Sequence, residues 1–425
     1  MFTRVNRRQR YTWIFTTLLP VLFLAPEIIN VGLLFFRWDY LLLAFFLLQS
    51  AFEASVRSRT TGSLHLRVPD VRIGVLFLGF AVYQALAIES GESFLEGIKY
   101  ATWPLKAIFW AIGVRTVYMR LKCSPQDVVS LIRNLTFIVF GMQVLELSSG
   151  SFRDALFDLY PVASTGRLAQ LSYRARGPFN GYDVSSLFYA VAAVVLIEVH
   201  RWRSQRLGIT TSAALGVSAV GALIAARLGF VLLMIYFIYV LLLRKPSVLK
   251  VSILLVAIAV GQQLLTGGEL GYADDLGLLE RYQEVIAAVQ KGDIFLVSSV
   301  QGTFSMNELL SFEARDWLWG AGLITGTTAD QLYSKYLYMY GAMGLSFWVF
   351  IHIVLTITAA RGASDVNAGG YARGALLISI MFAVAHFKGG NYFFSNRLGE
   401  LAVLLFMLSY SRRPVPCARG QSEFA

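Results

Sequence analysis

From Leu207 to Leu243 every residue is apolar or small except one, Arg227. A helix crosses a bilayer with about 20 apolar residues, so a run this long predicts two short spans joined at Ala226-Arg227-Leu228-Gly229. The arginine then sits at the tip of a membrane hairpin. A guanidinium there is costly unless a partner or a water-filled cavity receives it, which makes it a functional-site candidate. An arginine snorkelling to lipid headgroups is the alternative.

The rest of the chain has the same character. Of 425 residues, 56% are apolar and only 15% charged, with mean hydropathy +0.59; soluble domains carry about 25% charged residues. The composition therefore defines a polytopic membrane protein. Arg4, Arg7, Arg8 and Arg10 precede a first span that opens at Trp13, with no small-residue cleavage site after it. That pattern predicts an uncleaved first helix and a cytoplasmic N-terminus. Cys123 and Cys417 lie beside basic segments of cytoplasmic type, so neither a disulfide nor a cysteine metal site is expected.

Apolar runs of spanning length fall at 13–29, 38–54, 73–88, 100–119, 128–147, 184–199, 209–225, 230–243, 248–265, 333–359, 372–386 and 398–410. The expected fold is an all-α integral membrane protein of about 12 transmembrane helices. Pro20 and Pro26, with Glu27, should kink or end the first span early. Basic clusters occupy alternate connections: Arg57, Arg59 and Arg67; Arg115, Arg120 and Lys122; Arg201, Arg203 and Arg206; Arg244, Lys245 and Lys250; Arg361 and Arg373; Arg412 and Arg413. The positive-inside rule then puts both termini in the cytoplasm.

The chain divides into a membrane domain over residues 1–265, with an external loop at 148–182, an external loop domain at 266–331 between spans 9 and 10, and a second membrane part over 332–425. Residues 266–331 hold three basic and ten acidic residues, a net of −7, against +11 for the whole chain. Leu276, Leu279, Tyr282, Ile286 and Val289 follow helical spacing after Asp274 and Asp275, which suit a helix start. Ser305 and Glu308 have capping-box spacing before Leu309, Leu310 and Phe312, and Gly320 follows as a stop. Short helices lying over the membrane face are expected.

External positive charge runs against the topology rule, so its positions matter. Arg174 and Arg176 end the first long loop, Arg227 tips the hairpin, Arg315 lies in the acidic domain, and Lys388 and Arg397 flank the last external turn. Arginine's planar fork binds phosphate oxygens in pairs and stays charged at physiological pH. A site gripping a phosphorylated lipid headgroup is the sharpest chemical expectation. Asp-x-Asp, His-x-x-x-His and a Walker-type glycine loop are all missing, and the histidines are only His65, His200, His352 and His386. Metal-assisted transfer and nucleotide hydrolysis lose support accordingly; no cofactor, metal or nucleic-acid partner is expected. Trp38, Trp317, Trp319 and the series Tyr333, Tyr336, Tyr338 and Tyr340 read as an interfacial aromatic belt.

Arg174-Ala-Arg-Gly177-Pro-Phe179-Asn-Gly-Tyr-Asp183, then a span, an arginine-tipped hairpin and a long external loop, resembles the O-antigen polymerase and ligase superfamily. Gly320-Ala-Gly322, Asp330-Gln-Leu-Tyr333 and Tyr340-Gly341-Ala-Met-Gly344-Leu345 resemble that family's loop exit and following helix. The resemblance implies a membrane-embedded glycosyltransferase of the bacterial inner membrane that works at the periplasmic face. It would join undecaprenyl-pyrophosphate-linked oligosaccharides, donor and acceptor alike, into O-antigen-type polysaccharide, with a chain-length regulator as a further partner. The family's Arg-x-x-Gly arginine maps to Arg174 and its hairpin arginine, usually preceded by Ser, to Arg227, here preceded by Ala226. The ligase branch, which transfers the glycan to lipid A core, commonly has a histidine at the loop exit. Here Asp330 stands there, which favours polymerase over ligase. A lipid-linked oligosaccharide flippase is the third reading, though transporters show repeated halves that this chain lacks.

Cleaving a sugar from a pyrophosphate builds negative charge on the leaving group, and prealigned guanidinium groups can stabilise it in place of a divalent cation. Arg174, Arg176 and Arg227 are expected to hold the pyrophosphate, with Arg315, Lys388, Arg397 and Tyr333 as further contacts. Asp330 is the first candidate for a general base, ahead of His386 and Glu269. The alternative for Asp330 is a helix cap before Tyr333, and for His386 packing within its span.

Overall fold

Backbone polar groups in a bilayer must be satisfied within the segment, which leaves helices as the default spanning form. The computed structural model is built almost wholly from them. It describes residues 12–26, 29–31, 34–36, 38–56, 68–89, 94–160, 174–179, 181–201, 208–243, 291, 314–321, 332–362, 369–386 and 396–409. The helices among these are α1 (Ile14–Leu24), α2 (Trp38–Val56), α3 (Val68–Glu89), α4 (Phe94–Arg120), α5 (Pro125–Ser148), α6 (Gly150–Leu159) and α7 (Tyr182–Arg201). They continue with α8 (Ile209–Ala225), α9 (Arg227–Leu243), α10 (Ala314–Trp319), α11 (Leu332–Gly362), α12 (Gly369–Ala385) and α13 (Asn396–Ser409). Three stretches are long and apolar enough to cross a membrane: Pro125–Ser148, Tyr182–Val199 and Tyr336–Gly362. Six shorter apolar helices accompany them among the described residues. The expected span at 248–265 and nearly all of the acidic loop lie outside the described residues.

The first expected span is shorter than its hydropathy suggests. Helix α1 opens with a π turn at Ile14–Leu18, continues as an α-helix over Leu19–Leu24 and stops. Both features trace to proline. Pro20 has no N–H for the carbonyl of Thr16, and the Asn134 side chain on α5 donates to that carbonyl instead, at 2.6 Å. Pro26 disfavours helical geometry at the residue before it, and Ala25 is extended, with ψ 148°. In place of further helix, a two-stranded antiparallel hairpin follows: β1 (Ile29–Val31) pairs with β2 (Leu34–Phe36), Ile29 opposite Phe36. Apart from this short hairpin the regular structure of the described residues is helical, as the all-α expectation has it.

Helix α7 is the hub. Every residue from Ser185 to Val199 is buried, as expected of a helix apolar on all sides, and α5, α8, α9 and α12 pack around it. Glycines allow two of these approaches. Gly221 of α8 lies under the Tyr189 ring, and a Cβ on Gly229 of α9 would fall 2.1 Å from the carbonyl carbon of Ser186. A second layer consists of α4 with α2, α3 and α13.

Helix α11 is two helices. Residues 15 apart in a straight helix are separated by about 22 Å, yet the rings of Tyr333 and Trp348 lie 5.7 Å apart. The chain folds back at Gly341, whose φ of +62° suits glycine alone. A Cβ there would meet the Leu318 carbonyl oxygen at 2.4 Å, so the end of α10 docks on the bend. Gly320, with φ +84°, ends α10 as its sequence position predicts. The expected span at 333–359 therefore divides into two helical pieces at Gly341. The fold-back also alters the expected aromatic belt: Tyr336 and Tyr340 are buried, Tyr336 stacking on Phe80. Trp38, Trp317 and Trp319 are exposed.

Candidate functional site

Contacts between helix ends sort the bundle into two faces. At one face Gly362 touches Ala372 and Ser409, Tyr118 meets Tyr371 hydroxyl to hydroxyl at 3.2 Å, and Gly374 approaches Glu198. Arg120, Lys122, Arg201, Arg361 and Arg373 belong to the helix ends gathered there. At the opposite face lie the ends of α1, α5 and α12, the starts of α7 and α13, the α8–α9 turn and the segment 174–179.

That segment has no regular structure, so side chains must impose its shape. Glu146, on the last turn of α5, accepts hydrogen bonds through Oε2 from the backbone N–H of Arg176 (3.0 Å) and of Gly177 (2.8 Å). Both N–H groups thus point to one oxygen, and the chain then turns through Gly177, whose φ of +59° is left-handed. Gln143, one turn earlier, donates from Nε2 to the Ala175 carbonyl at 3.1 Å and to Ser185 Oγ at 2.9 Å, while its Oε1 accepts from Tyr189 at 2.6 Å. Next to Ser185, Ser186 Oγ accepts from the N–H of Gly229 at 3.1 Å. Two hydrogen-bonded links thus meet on adjacent residues of α7: Ser185 is tied through Gln143 to the residue after Arg174, and Ser186 to the start of α9. The backbone of Arg174 and that of Arg227 lie at the same face.

The arginines of this face divide by task. Arg176 is fully buried, its guanidinium donating to the carbonyls of Tyr160 (2.6 Å), Phe179 (2.9 Å) and Leu156 (3.0 Å) and lying 4.1 Å from the Phe157 ring centre. Burial pushes this guanidinium below its ordinary pKa, and the Glu146 carboxylate opposes that shift. Arg397, at the start of α13, donates to the carbonyls of Leu24 (3.2 Å), Ala25 (2.9 Å) and Pro178 (3.0 Å). These two side chains clasp the turn and the end of α1 through main-chain oxygens. Arg174 is half-buried, whereas residues 175–179 are all buried. Its charge reaches Tyr182, as do those of Arg153, Arg176 and Glu146.

Arg153, on α6, escaped the sequence reading, as did Glu146 and Gln143. Arg153 sits in an amphipathic helix started by Ser149, whose Oγ accepts from the Phe152 N–H at 3.3 Å. An arginine on a short amphipathic helix looks like a solvated residue until α6 is packed against α5. Glu146 reads in sequence as a charge ending a span, because its two partners lie 30 and 31 residues away.

His386 and Tyr333 form a separate group at this face. His386 is fully buried, with ring centres at 4.7 Å from Trp348, 6.1 Å from His352 and 6.3 Å from Tyr333. That is the packed arrangement among aromatic rings rather than an opening to solvent. Tyr333 donates to the Ala383 carbonyl at 2.9 Å. Beside them a cleft of about 290 Å³ opens between α11 and α12, where Ile353, Ile357 and Ile380 are half-exposed. Its floor is joined by Ser379 Oγ to His352 Nδ1 at 3.0 Å and by Thr356 to Ser379, the polar cross-links common between membrane helices. Asp330, Lys388 and Glu269 lie outside the described residues, and Arg227 and Arg315 are described in their backbone only.

The fold and this face define a helical protein with helices of membrane-crossing length and apolarity, and with arginines set in a braced turn at one end. No protein-family model matches the chain, and no curated protein sequence matches it.

Proposed function

We propose that this protein is a membrane-embedded glycosyltransferase that polymerises polyprenyl-pyrophosphate-linked oligosaccharide units at the external face of the bacterial inner membrane, without a metal ion. The observation that carries the reading is that the backbones of Arg174 and Arg227 lie at one face, their neighbours Ala175 and Gly229 held, through Gln143 for Ala175, by the adjacent residues Ser185 and Ser186 of α7. The resemblance at Arg174–Asp183 and at the arginine-tipped hairpin supports it from sequence. The opposite face carries the clustered cations that the positive-inside rule assigns to the cytoplasm, which supports an external arginine face.

Arg174 and Arg227 are the groups assigned to the pyrophosphate. Charge that develops on the departing diphosphate is met by guanidinium forks fixed in advance, so little reorganisation accompanies bond cleavage. Arg176 and Arg397 act one step back, holding the turn that carries Arg174. The cleft between α11 and α12 opens on an apolar rim at the depth of the spans, a surroundings suited to the hydrocarbon chain of a lipid carrier. Asp330 is the group assigned to take the acceptor hydroxyl's proton.

A glycan-profile gel of a strain lacking this protein tests the reading. Lipid capped with a single repeat unit, and no longer ladder, is the expected outcome. Loss of every capped form would point instead to transfer onto lipid A core or to flipping, and an unchanged ladder would overturn the proposal.

A further inference from the structure

We propose that Glu146 is a positioning residue, a buried acceptor whose oxygen locks the turn at 174–179 in shape and thereby sets where Arg174 meets a pyrophosphate oxygen. The inference rests on the assignment of Arg174 to pyrophosphate binding and adds a residue that the resemblance does not point to. Two successive N–H groups turned to one side form a concavity that attracts anions. Here Arg176 and Gly177 supply those N–H groups, and a single oxygen of Glu146 fills the concavity. Gln143 lies three residues earlier, on the same face of α5, and holds the preceding carbonyl, that of Ala175. One helix face therefore fixes two consecutive peptide groups, 175–176 and 176–177, through three hydrogen bonds. Arg174 begins immediately before them and is the one residue of 174–179 that is not buried. Withdrawing the Glu146 carboxylate releases the two N–H groups, lets Gly177 leave its left-handed conformation, and moves the Cα from which Arg174 projects.

A plain counter-charge to Arg176 and Arg153 would need only the negative charge of Glu146; the positioning role needs the reach of its oxygen. Two conservative variants separate them. Glu146→Gln keeps an oxygen at the same reach and discards the charge, whereas Glu146→Asp keeps the charge and retracts it by one methylene. The full chain is purified in detergent, and the dissociation constant for farnesyl pyrophosphate is measured for wild type, both variants, Arg174→Ala, and the double variant Glu146→Asp with Arg174→Ala. Losing a charge-assisted hydrogen bond costs about tenfold or more in affinity, so Arg174→Ala and Glu146→Asp should each weaken binding by about that factor. Glu146→Gln should stay within about threefold of wild type. Because both act through one contact, the double variant should bind no more weakly than Arg174→Ala alone.

An intact Asp variant with a weakened Gln variant would overturn the positioning role in favour of simple charge balance. Losses that multiply in the double variant would overturn it as well. A wild type with no affinity for the probe would sink the pyrophosphate assignment itself, and this inference with it, whereas a binding wild type with an unaffected Asp variant would sink only the role given to Glu146.

Discussion

Arg176 and Arg174 stand two residues apart, and the account gives them opposite energetic signatures. In Arg176→Ala three carbonyls, the buried ones of Leu156 and Phe179 and the part-buried one of Tyr160, lose their donor together. Each orphaned buried group costs about 1–3 kcal/mol, and Glu146 loses the cation beside it. Breaking a buried charged cluster typically costs about 3–5 kcal/mol in all, since the separate losses overlap. At 3 kcal/mol the folded-to-unfolded ratio falls about 150-fold. The thermal effect per kcal/mol shrinks with chain size, and for a chain this long a drop of roughly 3–10 °C in melting temperature follows. Tryptophan fluorescence during a thermal ramp in detergent reads it directly, with scan rate held constant because membrane proteins often unfold irreversibly. Arg174→Ala, at a half-buried position outside the clasp, should remain within about 1–2 °C of wild type. Equal melting of wild type and Arg176→Ala, or an equal loss in both variants, would refute the division between a residue that holds the turn and one that uses it.

Three further outcomes follow from single contacts. Gly229→Val places carbon atoms where the Ser186 backbone already lies, so α9 must move off α7; a loss of at least 1–3 kcal/mol is expected in the same melting assay. Asn134→Leu removes the donor that satisfies the Thr16 carbonyl opposite Pro20 and should cost about 1–2 kcal/mol, read as faster hydrogen exchange in α1. Asp330→Asn should abolish polymer formation while leaving the melting temperature unchanged; full activity in that variant would move the general base elsewhere.

Helix positions were largely legible because a bilayer demands long apolar runs. The run at 209–225 coincides with Ile209–Ala225, and the turn before Arg227 falls at Ala226 as read. Gly320 was legible as a stop because left-handed geometry singles out glycine. The features missed all depend on partners remote in sequence. Hydropathy sees Tyr336 and Tyr340 as aromatic residues at a span end; in the folded chain Tyr336 packs on Phe80 and Trp348, and Tyr340 accepts from Gln84. Pro20 and Pro26 signalled the early end of α1, but nothing local indicated the hairpin that follows. At the candidate site, Arg174, Arg176 and Arg397 were singled out in the sequence because positive charge on the loops read as external runs against the topology rule. Their division of labour was not: Arg176 and Arg397 look like anion binders until the carbonyls they hold, some of them from residues more than 370 away for Arg397, are brought to them.

The most direct test is reconstitution. Purified protein is incubated with undecaprenyl-pyrophosphate-linked repeat units in buffer containing a chelator, and the products are resolved by length on a gel. The wild type should give a ladder of joined units, and Arg174→Ala, Arg227→Ala and Arg227→Lys should leave the input unjoined, because a lysine point charge does not replace the guanidinium fork. A wild type that leaves the units single, or an Arg227→Ala protein that builds the full ladder, would contradict the account.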